Sequence, residues 1–394
     1  MAATAVESAD SGARSVVRVA FIVAVFGWGV GFYGPAVYLT ALHQVHGWPI
    51  SVISIAITAH YLLSAVMITW LPDAYRRFGV ARVTMVGALS AAGGAIAWTN
   101  AQHVLQLVPA LLLSGAGWSA MSGAALNAIV APWFERDRPR AISMAFNGAS
   151  IGGLLFAPLW TTLIAAIGLS SAGFVVSLAT MVVVCPLAWR FLQRPSPSGD
   201  AKADLPLPRR AVIRQPGFTT LSAAFALGLF AQIGLFAHLI ARLEPAVGVG
   251  AAALAVSLTT LCAVLGRSLL ARLLGERDRR AAAATNFLVQ AAGSLFLAFG
   301  SGVVPLALGC ILFGLGVGNL ISLPPLIAQR EFRPADVGMV VALVTAINQA
   351  VFAFAPAAFG ALRDVSGSYT LVFSGAAVVQ VIAAAAVTGR RRFF

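Results

Sequence analysis

Arg267 is a guanidinium set inside an apolar run, LTTLCAVLGRSLLARLL (258–274). A fixed cation in such surroundings is costly and persists where it meets a cavity, a partner or water. Guanidinium stays charged and can grip a carboxylate through two parallel hydrogen bonds, so Arg267 can hold a small organic anion. It also lies near the end of its run, where it can instead snorkel to the surface. His60 sits in the middle of another run, where an imidazole can carry a proton or bond a neighbouring helix as a neutral group. No Asp or Glu lies deep in any run, the thirteen acids being in tails, loops and run ends. A carried proton therefore needs a histidine or the cargo's own carboxylate. His238, Arg242 and Glu244 cluster at a run end, as an outer gate or as a solvated mouth. No nucleotide-binding loop, metal-ligand spacing or hydrolase triad occurs, so neither an enzyme nor a cofactor or metal protein is expected. Cys185, Cys262 and Cys310 fall in apolar runs and are expected as buried free thiols.

The elements that must position these groups are helices crossing a bilayer. About 20 apolar helical residues span its hydrocarbon, and open strands or loops cannot satisfy their backbone there. Of the 394 residues, 59% are hydrophobic and only 10% charged. Twelve runs are expected at 17–41, 50–71, 82–100, 104–131, 140–167, 171–191, 217–240, 248–271, 281–300, 303–328, 337–361 and 369–388. Apart from Arg267, every basic residue except Arg242 and Arg363 falls in gaps on one side. By the positive-inside rule that side is cytoplasmic and carries both termini. The net charge of +13 is explained by this topology and by attraction to membrane lipids, not by nucleic acid. Met1–Gly12, acidic and polar, is expected as a disordered part of a cytoplasmic tail over 1–16 rather than a signal peptide.

The segment 193–216, with RPSPSGDAKADLPLPRR, is expected to be a flexible cytoplasmic linker. It separates six-helix bundles at 17–192 and 217–388, and 389–394 form a second cytoplasmic tail. Each half has a basic cluster between its second and third runs: YRRFGVAR (75–82) and GRSLLARLLGERDRR (266–280). Repeats of this kind build transporters whose site lies near the midplane, between the halves. The chain resembles a major facilitator superfamily transporter over essentially its whole length. More narrowly, three stretches are similar to the bacterial oxalate/formate antiporter and monocarboxylate transporter branch: GWPISVIS (47–54), WFERDRPRAISMAFNGASIGG (133–153) and GRSLLARLL (266–274).

That resemblance implies an all-α integral membrane fold of twelve helices in two pseudo-symmetric six-helix bundles. It implies a secondary active transporter of the bacterial inner membrane that moves small organic anions, above all monocarboxylates, by alternating access. Coupling is by proton symport or anion exchange, the protein acting as a monomer. The superfamily's Asp-Arg pair in the first loop is here Arg76–Arg77 with Asp73 a turn earlier, and an aspartate of the monocarboxylate branch is replaced by Ala263. The antiporters' lysine in the eleventh helix is also absent, Lys202 being the only lysine. One carboxylate thus suits the chain better than two. Cavity-lining positions then include Tyr33 and Tyr38 in the first run, Gln232 in the seventh and Asn319 in the tenth. Asn147 in the fifth and Asn348 and Gln349 in the eleventh flank them. Each can alternatively be an interhelical hydrogen-bonding group. Two rival readings are an efflux transporter of neutral or anionic drugs or metabolites and a membrane sensor that binds without transporting.

Overall fold

In the computed structural model the residues described are 2–134, 137–193, 207–275 and 277–389. They are helical, with twelve helices long and apolar enough to cross a membrane. We number them α1 (Gly12–His46), α2 (Ser51–Ile68), α3 (Val80–Thr99), α4 (Val104–Trp133), α5 (Arg138–Ile167), α6 (Leu169–Phe191), α7 (Pro216–Val247), α8 (Leu254–Leu274), α9 (Arg279–Phe299), α10 (Val303–Glu331), α11 (Pro334–Ser366) and α12 (Tyr369–Thr388). Most of the linker expected at 193–216, and the arginines of the tail expected at 389–394, lie outside the described residues. One expectation is corrected at the N-terminus. The helix that continues into α1 begins at Ala2, inside the segment expected as a disordered tail. Five alanines among residues 2–13 favour helix more than the acidic side chains oppose it.

The chain divides into two compact units, Met1–Leu205 and Pro206–Phe394, each holding six of these helices. Within the first, α3 packs along α4 and α6, α1 along α5, and α2 along α4. Within the second, α9 packs along α10 and α12, α7 along α11, and α8 along α10. The pairings repeat with a shift of six helices. Lipid tails are as apolar as leucine, so close packing and hydrogen bonds hold such helices together. In the first unit, a Cβ on Gly148 or Gly152 of α5 would meet the α1 carbonyl oxygens of Phe21 at 2.2 Å or Val25 at 2.5 Å. The two backbones touch through this pair of glycines.

Several spans are not continuous. In α1 the residues Gly27–Phe32 form a π-turn, closed by the Tyr33 N–H donating to the Trp28 carbonyl at 2.8 Å. α4 breaks at Ser122, whose backbone is extended (ψ 179°). α10 breaks at Gly318, between helices Val303–Val317 and Asn319–Glu331. α11 breaks after Phe352 and resumes at Ala355. Near the start of the second unit, the Leu207 N–H donates to Asp336 Oδ1 at 2.7 Å, and Arg333 Nε reaches Asp336 Oδ2 at 2.7 Å. The chain entering that unit is thereby tied to the start of α11.

Candidate functional site

The predicted residues fall into one set per unit. In the second unit, Arg267 of α8 is only 2% exposed, and its Nε donates to the Gly318 carbonyl at 2.9 Å. The guanidinium is therefore not carried to the surface at the end of α8. The sequence puts it there through the glycines of α10: a Cβ on Gly314 would lie 2.6 Å from the Thr259 carbonyl oxygen, and one on Gly318 2.5 Å from that of Ala263. With α8 and α10 in backbone contact, Arg267 lies against the break in α10. Its Nε bond to a fixed carbonyl sets the plane of the guanidinium.

Next to it, Asn319 donates to Asn286 Oδ1 of α9 at 2.8 Å and to the Leu315 carbonyl at 3.1 Å, while its own Oδ1 is buried without a partner. Asn286 in turn donates to the Gly316 carbonyl at 3.2 Å. Gln232 of α7 accepts from Gln290 of α9 at 2.9 Å, and Gln290 accepts from Gln380 of α12 at 3.2 Å. Ser294 closes the chain onto Gln380 at 2.8 Å. This amide chain joins three helices. Asn348 and Gln349 are both buried in α11, and Asn348 Oδ1 has no hydrogen-bond partner. At the other end of α7, His238 Nε2 lies 3.1 Å from the Pro356 carbonyl oxygen. Arg242 donates to the Gly300 carbonyl at 2.9 Å, where a cation suits the C-terminal end of α9. Glu244 is exposed.

The first unit builds its set around the π-turn. Trp160 of α5 donates to the Gly29 carbonyl at 3.3 Å, His60 Nε2 lies 3.2 Å from the Gly31 carbonyl oxygen, and Tyr61 donates to that of Phe32 at 2.9 Å. The other ring nitrogen of His60, Nδ1, is 2.8 Å from Ser114 Oγ of α4, which also receives Trp98 Nε1 at 3.0 Å. His60 is fully enclosed. Tyr33 ends the π-turn half-buried, its ring lying where a Cβ on Gly153 would be. Asn147 is half-buried on α5. Tyr38 is buried between Trp98 and Trp160, with its hydroxyl unpartnered.

Two features escaped the sequence reading. The π-turn had one signal, the alternating glycines of GWGVGF (27–32). The other is Arg280, grouped with the loop cations by sequence but 7% exposed. It donates to both carboxylate oxygens of Glu331 (2.6 and 2.9 Å), to Thr220 Oγ1 (3.0 Å), and to the carbonyls of Val387 (2.8 Å) and Gly217 (2.8 Å). One guanidinium thus ties α9 to α7, α10 and α12. Among the described residues no cluster of metal-ligating side chains occurs, and the three cysteines are free thiols.

Twelve apolar helices in two six-helix units, with polar side chains spent on broken helices and a cation held within one unit, define a polytopic carrier architecture. The sequence profile of the Major Facilitator Superfamily matches residues 19–356, and the chain belongs to that family of transporters. A crystal structure of the human organic anion transporter MFSD10 (TETRAN) is similar over 95% of this chain and 99% of that one, with a TM-score of 0.79 and 16% identity. A crystal structure of the E. coli fucose:proton symporter FucP is similar over 96% of this chain and 100% of that one, with a TM-score of 0.72 and 16% identity. FucP in the outward conformation gives a TM-score of 0.73, again at 16% identity, with coverages of 96% and 100%. No curated protein matches by sequence. At this identity the likeness speaks for the fold.

Proposed function

We propose that the protein is a secondary active transporter of small organic anions, above all monocarboxylates, working by alternating access in a bacterial inner membrane with both termini cytoplasmic. The observation that carries this reading is Arg267: a permanent cation enclosed in the second unit, its plane set by the Gly318 carbonyl. A guanidinium carries a planar set of N–H donors whose geometry fits one carboxylate. Asn319, next to Gly318 in sequence, and Asn348 and Gln349 of α11 are the polar groups proposed to complete recognition in that unit; the unpartnered amide oxygens of Asn319 and Asn348 are acceptors, suited to a hydroxyl on the cargo rather than to its carboxylate. Tyr33 and Asn147 are the candidates in the first unit, and Gln232 contributes through its amide chain.

Proton symport would use His60. Its Nδ1 faces a hydroxyl that is also 2.7 Å from the Ala110 carbonyl oxygen. The serine proton can turn toward the ring when the imidazole is neutral and toward Ala110 when it is charged, so both states find a partner. Anion exchange needs no such group.

The test is uptake of labelled monocarboxylates into proteoliposomes by wild type, Arg267→Ala and Arg267→Lys. Loss of transport in both variants supports a bidentate anchor. Full uptake in Arg267→Ala would end the anion reading. Saturable binding without flux in the wild type would instead make the protein a sensor.

A further inference from the structure

The first unit carries two cavities that share a wall. One, of about 640 Å³, is an apolar groove between α2, α3 and α4, lined among others by Met67, Phe78, Val86 and Ala116. The second, of about 450 Å³, lies at the start of α3, lined by Tyr75, Gly79, Val80, Trp133 and Trp189. Phe78 and Arg82 line both. The groove is open at its edge, where Val86 is 62% exposed. At the other cavity, α3 starts after Gly79, which provides no side-chain cap for its first turn. Uncapped N–H groups and the positive end of the helix dipole attract an anion. The guanidinium of Arg82, exposed in the first turn, favours one too. Exposed Trp70 in the groove and Trp189 in the second cavity are amphipathic anchors of the kind found at headgroup level.

We infer that this pair of cavities is a binding site for one anionic phospholipid, its phosphate at Arg82 and the start of α3 and an acyl chain in the α2–α3–α4 groove. The occupant follows from the shape of the charge: an apolar trough joined, through one arginine, to an uncapped helix start. A groove of about 450 Å³ between α8, α9 and α10 repeats the trough in the second unit, with Arg277 at its end. There the comparable helix start is already occupied. The Asp278 carboxylate accepts from the N–H groups of Arg280 and Ala281, and that carboxylate also lines the groove. The two grooves are therefore expected to differ: the first selects an anionic headgroup and the second does not.

Native mass spectrometry of the purified full chain, titrated with phosphatidylglycerol and with phosphatidylcholine of identical acyl chains, tests this. Wild type should bind phosphatidylglycerol the more tightly. Arg82→Gln should weaken phosphatidylglycerol by about fivefold, the effect of one surface arginine on an anionic lipid, and leave phosphatidylcholine unchanged. Val86→Trp, or Met67→Trp should the first variant fold poorly, should weaken both lipids by filling the trough. Arg277→Gln should leave the preference intact. Equal affinity for the two lipids in the wild type would overturn the inference, as would an Arg277→Gln effect as large as that of Arg82→Gln. Undiminished phosphatidylglycerol binding in a tryptophan variant that folds would leave only surface attraction and overturn it too.

Discussion

Removing Arg280 should unseat the second unit without touching the proposed anion anchor. Five hydrogen bonds end on this one side chain, two of them on the Glu331 carboxylate. The paired side chains are only 9% and 17% exposed, so solvent screening relieves little of the loss. Arg280→Ala leaves a largely enclosed carboxylate without its cation, and the Gly217 and Val387 carbonyls lose their donor. Breaking a buried pair from one side costs about 3–5 kcal/mol. At about 2–4 °C per kcal/mol for a unit of this size, the melting temperature should fall by about 6–20 °C. Glu331→Gln keeps the shape and one acceptor oxygen, and should cost about 1–3 kcal/mol. Arg280→Met with Glu331→Leu removes both charges together and should recover most of the loss, because an apolar pair avoids the desolvation penalty. Cys262 and Cys310 are buried in the same unit. In a Cys185→Ser background, a thiol-reactive dye added during heating therefore reports the opening of that unit. A melting temperature for Arg280→Ala within 2 °C of the parent (about 1 kcal/mol or less), or a double variant no better than the single one, would refute the reasoning.

Three further outcomes follow from particular contacts. Gly318→Ala places a Cβ 2.5 Å from the Ala263 carbonyl oxygen and 2.8 Å from Arg267 Nη2; overpacking of this kind costs about 1–3 kcal/mol, and anion uptake should fall, whereas Gly338→Ala, with open space around it, should transport normally. If His60 carries the proton, His60→Gln should abolish uptake driven by an inward pH gradient while sparing anion exchange, and gradient-driven uptake at the wild-type level would remove His60 from the coupling. Asp336→Asn weakens the tie to the Leu207 N–H; the Arg333 partner is half-exposed and adds little, so the expected cost is about 1–3 kcal/mol, read as faster hydrogen exchange at the Leu207 amide and disproved by an unchanged rate.

The helices were legible because lipid imposes one simple requirement, a long apolar run, and the sequence meets it twelve times. Their ends were less so. α7 extends to Val247 and α11 to Ser366, past their expected limits at 240 and 361, because polar residues such as Arg242 and Arg363 continue a helix once it leaves the hydrocarbon. Which polar residue bonds which could not be read at all. Gln232 and Asn319 were placed by their helices as cavity groups or interhelical hydrogen-bonding groups, but their particular partners, Gln290 and Asn286, were not foreseen. Arg280 looked like one more loop cation, although Gly217, Thr220, Glu331 and Val387 converge on it from positions far apart in sequence. Hydropathy records the depth of a residue but not the rotation of its helix, and these partnerships depend on rotation.

That distinction gives the polar side chains a common logic. A carrier needs helices that can bend, and a bend frees backbone carbonyls that lipid cannot satisfy. In this chain side chains meet them. Trp160, His60 and Tyr61 take three carbonyls of the α1 π-turn. Ser122 takes that of Ser119 at the break in α4. Asn319, Asn286 and Arg267 take those of Leu315, Gly316 and Gly318 around the break in α10. α4 and α10 are the fourth helices of their units, so the interruption repeats with the fold, and in the second unit a cation meets it. A serine or an amide could satisfy the Gly318 carbonyl as well as Arg267 Nε does, at no cost in buried charge. A guanidinium at that position carries an extra desolvation cost, and the proposed role as an anion anchor is one that would account for it.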